Sequence, residues 1–237
     1  MLEFRNVTFS YSQEKLFQNL SLSFRDQKIT CIFGFSGSGK SSLLKLILDF
    51  YSPQKGDLFV FDQLLSSIQN IHEYRRHYGV IFQYGALFDS LNVLDNVAFP
   101  LKEIYKYTYD QYLPIVKNLI LQVGLTENDL CKSIHSLSGG MRRRVAIARA
   151  LILKPKVLLC DEPTTGLDPI STRQILQLIK EKSQQEKLTT LLISHDIREA
   201  LKIADDVLFL EKGSVVEYCS KEDFINTKNS TLQEFMK

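Results

Sequence analysis

Between Cys31 and Leu44 the sequence reads CIFGFSGSGKSSLL, three glycines and four serines set inside an apolar stretch. The run Gly34, Phe35, Ser36, Gly37, Ser38, Gly39, Lys40, Ser41 fits G-x-x-x-x-G-K-[ST], with Ser42 directly after it. It falls between a continuous apolar strand pattern and a helical one, which is where that spacing can act. Backbone N–H groups close around a phosphate only where side chains do not crowd them, hence three of the chain's 11 glycines here. A helix opening after Gly39 points its positive end at the same anion. In this pattern Lys40 reaches the β- and γ-phosphates and the Ser41 hydroxyl ligates Mg²⁺. A Gly/Ser turn would match by chance in about one chain of this length in a hundred, so the segment reads as a nucleotide site.

A second acidic site completes that chemistry. The apolar run KVLLCDEP ends in Asp161 and Glu162, and doubly wound sheets bind ligands at the carboxyl ends of their strands. Asp161 is placed to hold the Mg²⁺ shell and Glu162 to polarise an attacking water. The stretch Leu137, Ser138, Gly139, Gly140, Met141 then opens RRRVAIARALIL, which has helical periodicity. It is a second helix start suited to phosphate, with a Ser138 hydroxyl and two bare glycine backbones. Arg142, Arg143 and Arg144 occupy its first turn, where the helix dipole disfavours cations. That conflict points either to nearby negative charge or to a solvated basic face.

With these segments in view the chain resembles the ATP-binding cassette (ABC) ATPases over nearly its whole length. The glycine loop, the LSGG signature, the VLLCDE strand, the D-loop TTGLDP with Gly166, Leu167 and Asp168, and ISHD with His195 follow in the family's order. The resemblance implies that Gln83 in VIFQ is the Q-loop residue, touching metal and reaction site, and that His195 is the switch histidine. It makes Tyr11, 23 residues before Gly34, the aromatic that stacks on adenine. Such stacking contributes roughly 1–3 kcal/mol elsewhere. In this family ATP is sandwiched between the loop of one cassette and the signature of another. One of each is present here, so the resemblance implies a homodimer with two shared sites, ATP acting as the adhesive.

The segment YGALFDSLNVLDNVAFPL (Tyr84 to Leu101) follows the Q-loop, where such cassettes meet a membrane permease. Its apolar and aromatic content marks a partner surface. Together with LSGGM, where Met141 stands in the usual place of glutamine, and the tail TKNSTLQEFMK, it is similar to the ATPases of lipid-transport systems. These are the maintenance-of-lipid-asymmetry type and the related mammalian-cell-entry systems. SIHSLSGG lacks the proline common there, and Cys160 replaces a bulkier apolar residue. The resemblance implies integral-membrane permease subunits, a lipid substrate handled only through the complex, and a cytoplasmic chain peripheral on the inner face of the cell (inner) membrane. A nutrient importer cassette, such as one for amino acids, is the alternative within transport. A non-transport ABC ATPase of DNA repair or translation is the alternative outside it, and a P-loop kinase or GTPase would leave LSGGM and ISHD unexplained.

The elements that must hold these residues read as an α/β chain. Strands are predicted at LEFRNVTF and LSLSFR, which alternate, and at ITCIF, GDLFVFD and YGVIFQ. A helix is predicted over about Lys40 to Asp49, and helical segments from Tyr84 to Arg144 punctuated by Pro100 and Pro114. KVLLCDE and LTTLLIS read as strands, PISTRQILQLIKEKSQQ and DIREALKIADD as helices, and VLFLEKGSVVEY as a hairpin turning at Lys212-Gly213. Alternating strands and helices imply a largely parallel, doubly covered sheet, with the early strands forming an antiparallel β layer. The fold class is therefore a P-loop α/β domain with an antiparallel layer and an inserted helical subdomain. A single domain over 1–237 is expected, its core being 1–83 and 145–237, its helical signature subdomain 84–144, and 222–237 a short helix on a polar tail.

Composition excludes several classes. Of 237 residues 44% are hydrophobic and 24% charged, an ordinary globular balance. A net charge of +2 argues for neither a nucleic-acid binder nor a polybasic anchor. The longest apolar runs are far short of the roughly 18–20 residues that span a bilayer, and MLEFRNVTFS lacks the regions of a signal peptide. Cys31, Cys131, Cys160 and Cys219 form no CxxC pair and read as reduced thiols.

Overall fold

Leu2 and Phe4 are buried on one strand, and so are Val7 and Phe9, but the alternation slips by one residue between the two pairs. Asn6 lies there with φ +51°, and the strand's register with its neighbours shifts at the same point. An inserted residue of this kind is a β-bulge, which returns the apolar set to the core side. The computed structural model describes residues 2–11 and 14–235. Its chain divides into two units, one made of residues up to 75 together with those from 189 onward, the other of residues 76–188.

In the first unit β1 (Leu2–Tyr11), β2 (Glu14–Phe24), β4 (Lys55–Val60) and β5 (Gln63–Leu64) form an antiparallel sheet in the order β2-β1-β4-β5. A second set of strands holds β3 (Ile29–Gly34) at its centre. β8 (Thr189–Ile193) and β9 (Asp206–Glu211) run parallel to it on either side, and β10 (Ser214–Ser220) pairs antiparallel with β9. Every residue of β3 is buried, as its unbroken apolar run requires. The β9–β10 hairpin turns at Lys212 and Gly213, both with positive φ, as the favoured two-residue turn demands. Helix α1 (Lys40–Ile47) buries Leu43, Leu44, Leu46 and Ile47, and α2 (Ile71–Arg75) is a short turn.

Helix α7 (Ile197–Leu201) is shorter than the predicted helix. Asp206 leaves it to open β9, where the residue is buried and accepts a 2.7 Å hydrogen bond from Arg25 Nε. The tail also differs from a short helix on a polar segment. It forms α8 (Lys221–Ile225) and α9 (Ser230–Phe235), which bury Phe224 and Leu232 completely; the last two residues lie outside the described ones.

In the second unit β6 (Tyr78–Ile81) and β7 (Val157–Asp161) are parallel, pairing Tyr78 with Val157 and Ile81 with Cys160. The helices are α3 (Val93–Tyr105), α4 (Tyr109–Gln122), α5 (Gly139–Leu151) and α6 (Pro169–Gln185). Pro100 and Pro114 do not punctuate them: each lies inside a helix, α3 and α4. Buried residues flank both prolines (Ala98 and Leu101, Tyr112 and Val116), and this packing outweighs one missing N–H donor. The span of α6 follows from Asp168 as cap and Pro169 in the first turn. Among the described residues no helix is long and apolar enough to cross a membrane.

Candidate functional site

The glycine loop of the first unit is built from backbone. Gly34 has φ +148°, and a Cβ there would stand 2.1 Å from the Leu210 carbonyl oxygen of β9. Only glycine fits between the end of β3 and the neighbouring strand. Gly39, the residue before α1, has φ +104° and supplies no side-chain cap. A Cβ on it would meet the Phe17 ring at 2.8 Å. The first N–H groups of α1 therefore face the loop without a capping oxygen, the donor arrangement that accepts a phosphate.

Ser38 N–H donates to the Phe35 carbonyl at 3.2 Å, and Gly213 N–H donates to the Ser38 carbonyl at 3.1 Å, so the β9–β10 turn props the loop. The Ser38 hydroxyl is buried without a hydrogen-bond partner among the described residues. Lys40 is only 7% exposed. Its Nζ donates to the carbonyls of Gly34 at 2.8 Å and Phe35 at 2.9 Å, which holds a cation inside the ring of loop amides. Ser36 and Gly37 are exposed at the loop's tip, and Ser41 and Ser42 follow in the first turn of α1. An uncapped helix start, an orphaned hydroxyl and a buried ammonium all fit a polyphosphate. In the second unit the Asp161 carboxylate and the Gln83 amide are oxygen donors of the kind a hard divalent cation takes.

Two more predicted residues lie in this unit. Tyr11 ends β1, 37% exposed, with its hydroxyl 3.1 Å from that of Ser42. Phe9 and Tyr51 hold it edge-on, with ring centroids at 4.9 and 5.2 Å. Ile32 of β3 pairs with Ile193 of β8, so Gly34 and His195 leave the same carboxyl edge two residues later. His195 is exposed at the bend before α7, which Asp196 caps by accepting from Glu199 N–H at 3.0 Å.

The acidic site of the second unit is built from side chains. Because β6 and β7 are parallel and paired Ile81 to Cys160, Gln83 and Glu162 emerge together. Gln83 Nε2 donates to Glu162 Oε2 at 2.9 Å, across 79 positions of sequence. Thr165 Oγ1 donates to the same oxygen at 3.0 Å. Glu162 sits in the left-handed region at φ +51°, a conformation that a non-glycine residue adopts only when its surroundings hold it there. Asp161, one residue earlier, closes β7. Thr165 carried no sequence signal beyond its place in TTGLDP.

The signature residues begin α5. Leu137 is buried, while Ser138 caps the helix by accepting from Met141 N–H at 3.2 Å. Gly139 and Gly140 lie beside α6 and its approach: added Cβ atoms would meet Leu167 Cδ2 at 3.0 Å and Ser171 Oγ at 3.6 Å. In the D-loop, Gly166 is exposed and Asp168 caps α6, accepting from Ile170 and Ser171 N–H, both at 2.9 Å. Hydrogen bonds from Ser171 hold the Asp168 carboxyl below its ordinary range.

The three arginines resolve their conflict with the dipole in a way that neither sequence reading anticipated: they bind backbone carbonyls. Arg142 donates to Leu137 at 2.8 Å, Arg143 to Thr165 at 3.0 Å and Arg144 to Val123 at 2.6 Å. Arg149, further along α5, donates to Gly85 at 2.7 Å and Ala86 at 2.8 Å. Burial lowers the pKa of Arg143 and Arg149. One helix thus ties the turn after Gln83 to the turn after Glu162.

The profile of the family described as "ABC transporter" matches residues 17–165, which contain the glycine loop, Gln83, the signature and Glu162. The chain belongs to the ABC transporter family. It is 36% identical over 239 residues to the intermembrane phospholipid transport system ATP-binding protein MlaF of Haemophilus influenzae, covering 100% of this chain and 90% of that one. It is 39% identical over 246 residues to the methionine import ATP-binding protein MetN of Histophilus somni, covering 100% of this chain and 70% of that one. A dimeric ATP-binding cassette solved in a post-hydrolysis state with ADP and Pi aligns with a TM-score of 0.81 and 29% identity, covering 93% of this chain and 99% of that chain. This cassette is accordingly an ATPase subunit of an ABC transporter.

Proposed function

We propose that this ATPase energises phospholipid transport through integral-membrane permease subunits, working as a homodimer peripheral to the cytoplasmic face of the inner membrane. The observation that carries the lipid reading is the segment after Gln83, in a chain similar end to end to the Haemophilus phospholipid-transport ATPase. There Tyr84 is 77% exposed and Phe88 is also exposed, as is Phe82 just before Gln83. Exposed aromatics of this kind mark partner surfaces. The loop that presents Phe88 is held rigid by Asn96, a fully buried side chain that accepts from Phe88 N–H at 2.8 Å and donates to the carbonyls of Phe88, Leu91 and Asn92.

In the proposed chemistry Lys40 and the loop amides bind the phosphates of ATP, and Tyr11 takes the adenine. Ser41, Gln83 and Asp161 are the proposed Mg²⁺ ligands, and the metal supplies charge neutralisation on the phosphates when bound. Glu162 polarises the attacking water, with Gln83 and Thr165 fixing its carboxylate. His195 orients the reaction from the edge where the loop also emerges. Leu137, Ser138, Gly139, Gly140 and Met141, with Gly166, Leu167 and Asp168, contribute to the partner protomer's nucleotide. The dimeric solved relative supports that division of labour.

The methionine importer likeness, at 39% identity, favours a second reading as a nutrient importer cassette. Isolating the tagged chain with the membrane proteins that accompany it, then identifying bound small molecules by mass spectrometry, separates the two. Glycerophospholipid enriched over the bulk membrane is the expected result. An amino-acid binding protein and its ligand in place of lipid would contradict it.

A further inference from the structure

Phe35 is the loop residue on whose carbonyl both the Ser38 N–H and the Lys40 ammonium rest. Its side chain is 49% exposed, yet two rings hold it edge-on: Phe209 of β9 at 6.1 Å and Phe235 of α9 at 5.3 Å. Phe209 and Phe235 are themselves edge-on at 4.7 Å, which closes a three-ring cluster. Phe209 is fully buried in β9, whereas the Phe35 and Phe235 rings are carried by the loop and by the tail. Among the described residues of α9 only Leu232 is fully buried, and the exposed Lys228 lies in the segment that joins α9 to α8.

We propose that Phe235 is a positioning residue for the glycine loop: the docked α9 pins the Phe35 ring, and through it the carbonyl around which the loop is folded. The inference rests on the reading of this loop as the phosphate site. A loop already ordered loses less freedom when ligand binds, so tail docking raises nucleotide affinity. By reciprocity nucleotide binding stabilises the docked tail by the same factor. An edge-to-face ring pair contributes enough to make that factor about two- to tenfold.

The test uses the full chain and ATP in two measurements. Phe235→Ala should weaken ATP binding about two- to tenfold by equilibrium titration, while Phe235→Tyr, which keeps the ring, should restore it. Phe35→Ala should cost a similar factor, and the double variant should be no weaker than the worse single one. The unmodified protein gives a readout that needs no substitution: ATP should slow tryptic cleavage after Lys228 by a comparable factor. Wild-type affinity in Phe235→Ala, or cleavage at Lys228 indifferent to ATP, would overturn the proposal. Lys40→Ala should abolish both ATP binding and the protection. ATP binding that survived Lys40→Ala would instead overturn the loop as the phosphate site, whatever Phe235→Ala shows.

Discussion

In the proposed chemistry the glycine loop and the Glu162 site solve the same problem, placing charge against a phosphate, by opposite means. The loop is a backbone device: Gly34 sits where no Cβ fits, Lys40 lies back on the carbonyls of its own loop, and the β9–β10 turn supports it. The Glu162 site is a side-chain device, with one carboxylate oxygen gripped by Gln83 and Thr165 and the surrounding turns tied down by Arg143 and Arg149. A backbone site is disrupted by adding atoms. A side-chain site is disrupted by removing them.

The largest expected effect is on the side-chain site. Glu162→Gln keeps the shape and the Gln83 neighbour but removes the proposed base, so turnover should fall about 10²–10⁴-fold while ATP affinity stays within about twofold. A steady-state assay beside a binding titration checks both halves. At the loop, Gly34→Ala should act on folding before chemistry, because its Cβ would overlap the Leu210 carbonyl at an unfavourable φ. A loss on the order of 3 kcal/mol is expected in denaturant melts. If Gly34→Ala folded normally and lost only turnover, the contrast between the two devices would fail.

Thr165→Val is a finer probe. It keeps the side-chain volume and removes a donor to Glu162, so kcat should drop roughly five- to tenfold with the KM for ATP unchanged. Equal losses in kcat and affinity would show that the turn itself had moved. The smallest effect is at Asp168, whose carboxyl is held below its ordinary range by Ser171. A depressed folded-state pKa gives stability that is present above the unfolded value and is lost as pH falls through the folded one. Thermal melts of the wild type and Asp168→Asn should therefore differ slightly at neutral pH and converge only in strong acid.

The same contrast decides what the sequence made legible. The loop could be read from Gly34 to Ser41 because its chemistry is local: spacing alone sets which amides converge. Strands β3 and β7 were legible to within a residue at each end from their apolar runs, and the full span of α6 was legible too. The grip on Glu162 was not, because Gln83 reaches it across 79 positions through a strand register that no local pattern encodes. The arginines of α5 were misleading for a related reason, since their partners are carbonyls from distant turns, which have no signature in residue type. Pro100 and Pro114 failed as breakpoints because packing on both sides holds the helices together. The tail looked polar because a single leucine and a single phenylalanine do its anchoring, too few to register as a pattern.

The central claim is that the loop of one copy and the signature of another share a nucleotide. Glu162→Gln, analysed by sedimentation with and without ATP, tests it most directly. ATP should convert a monomer into a dimer that persists, and ADP should not. A variant that binds ATP and still sediments as a monomer at every protein concentration tried would contradict the account.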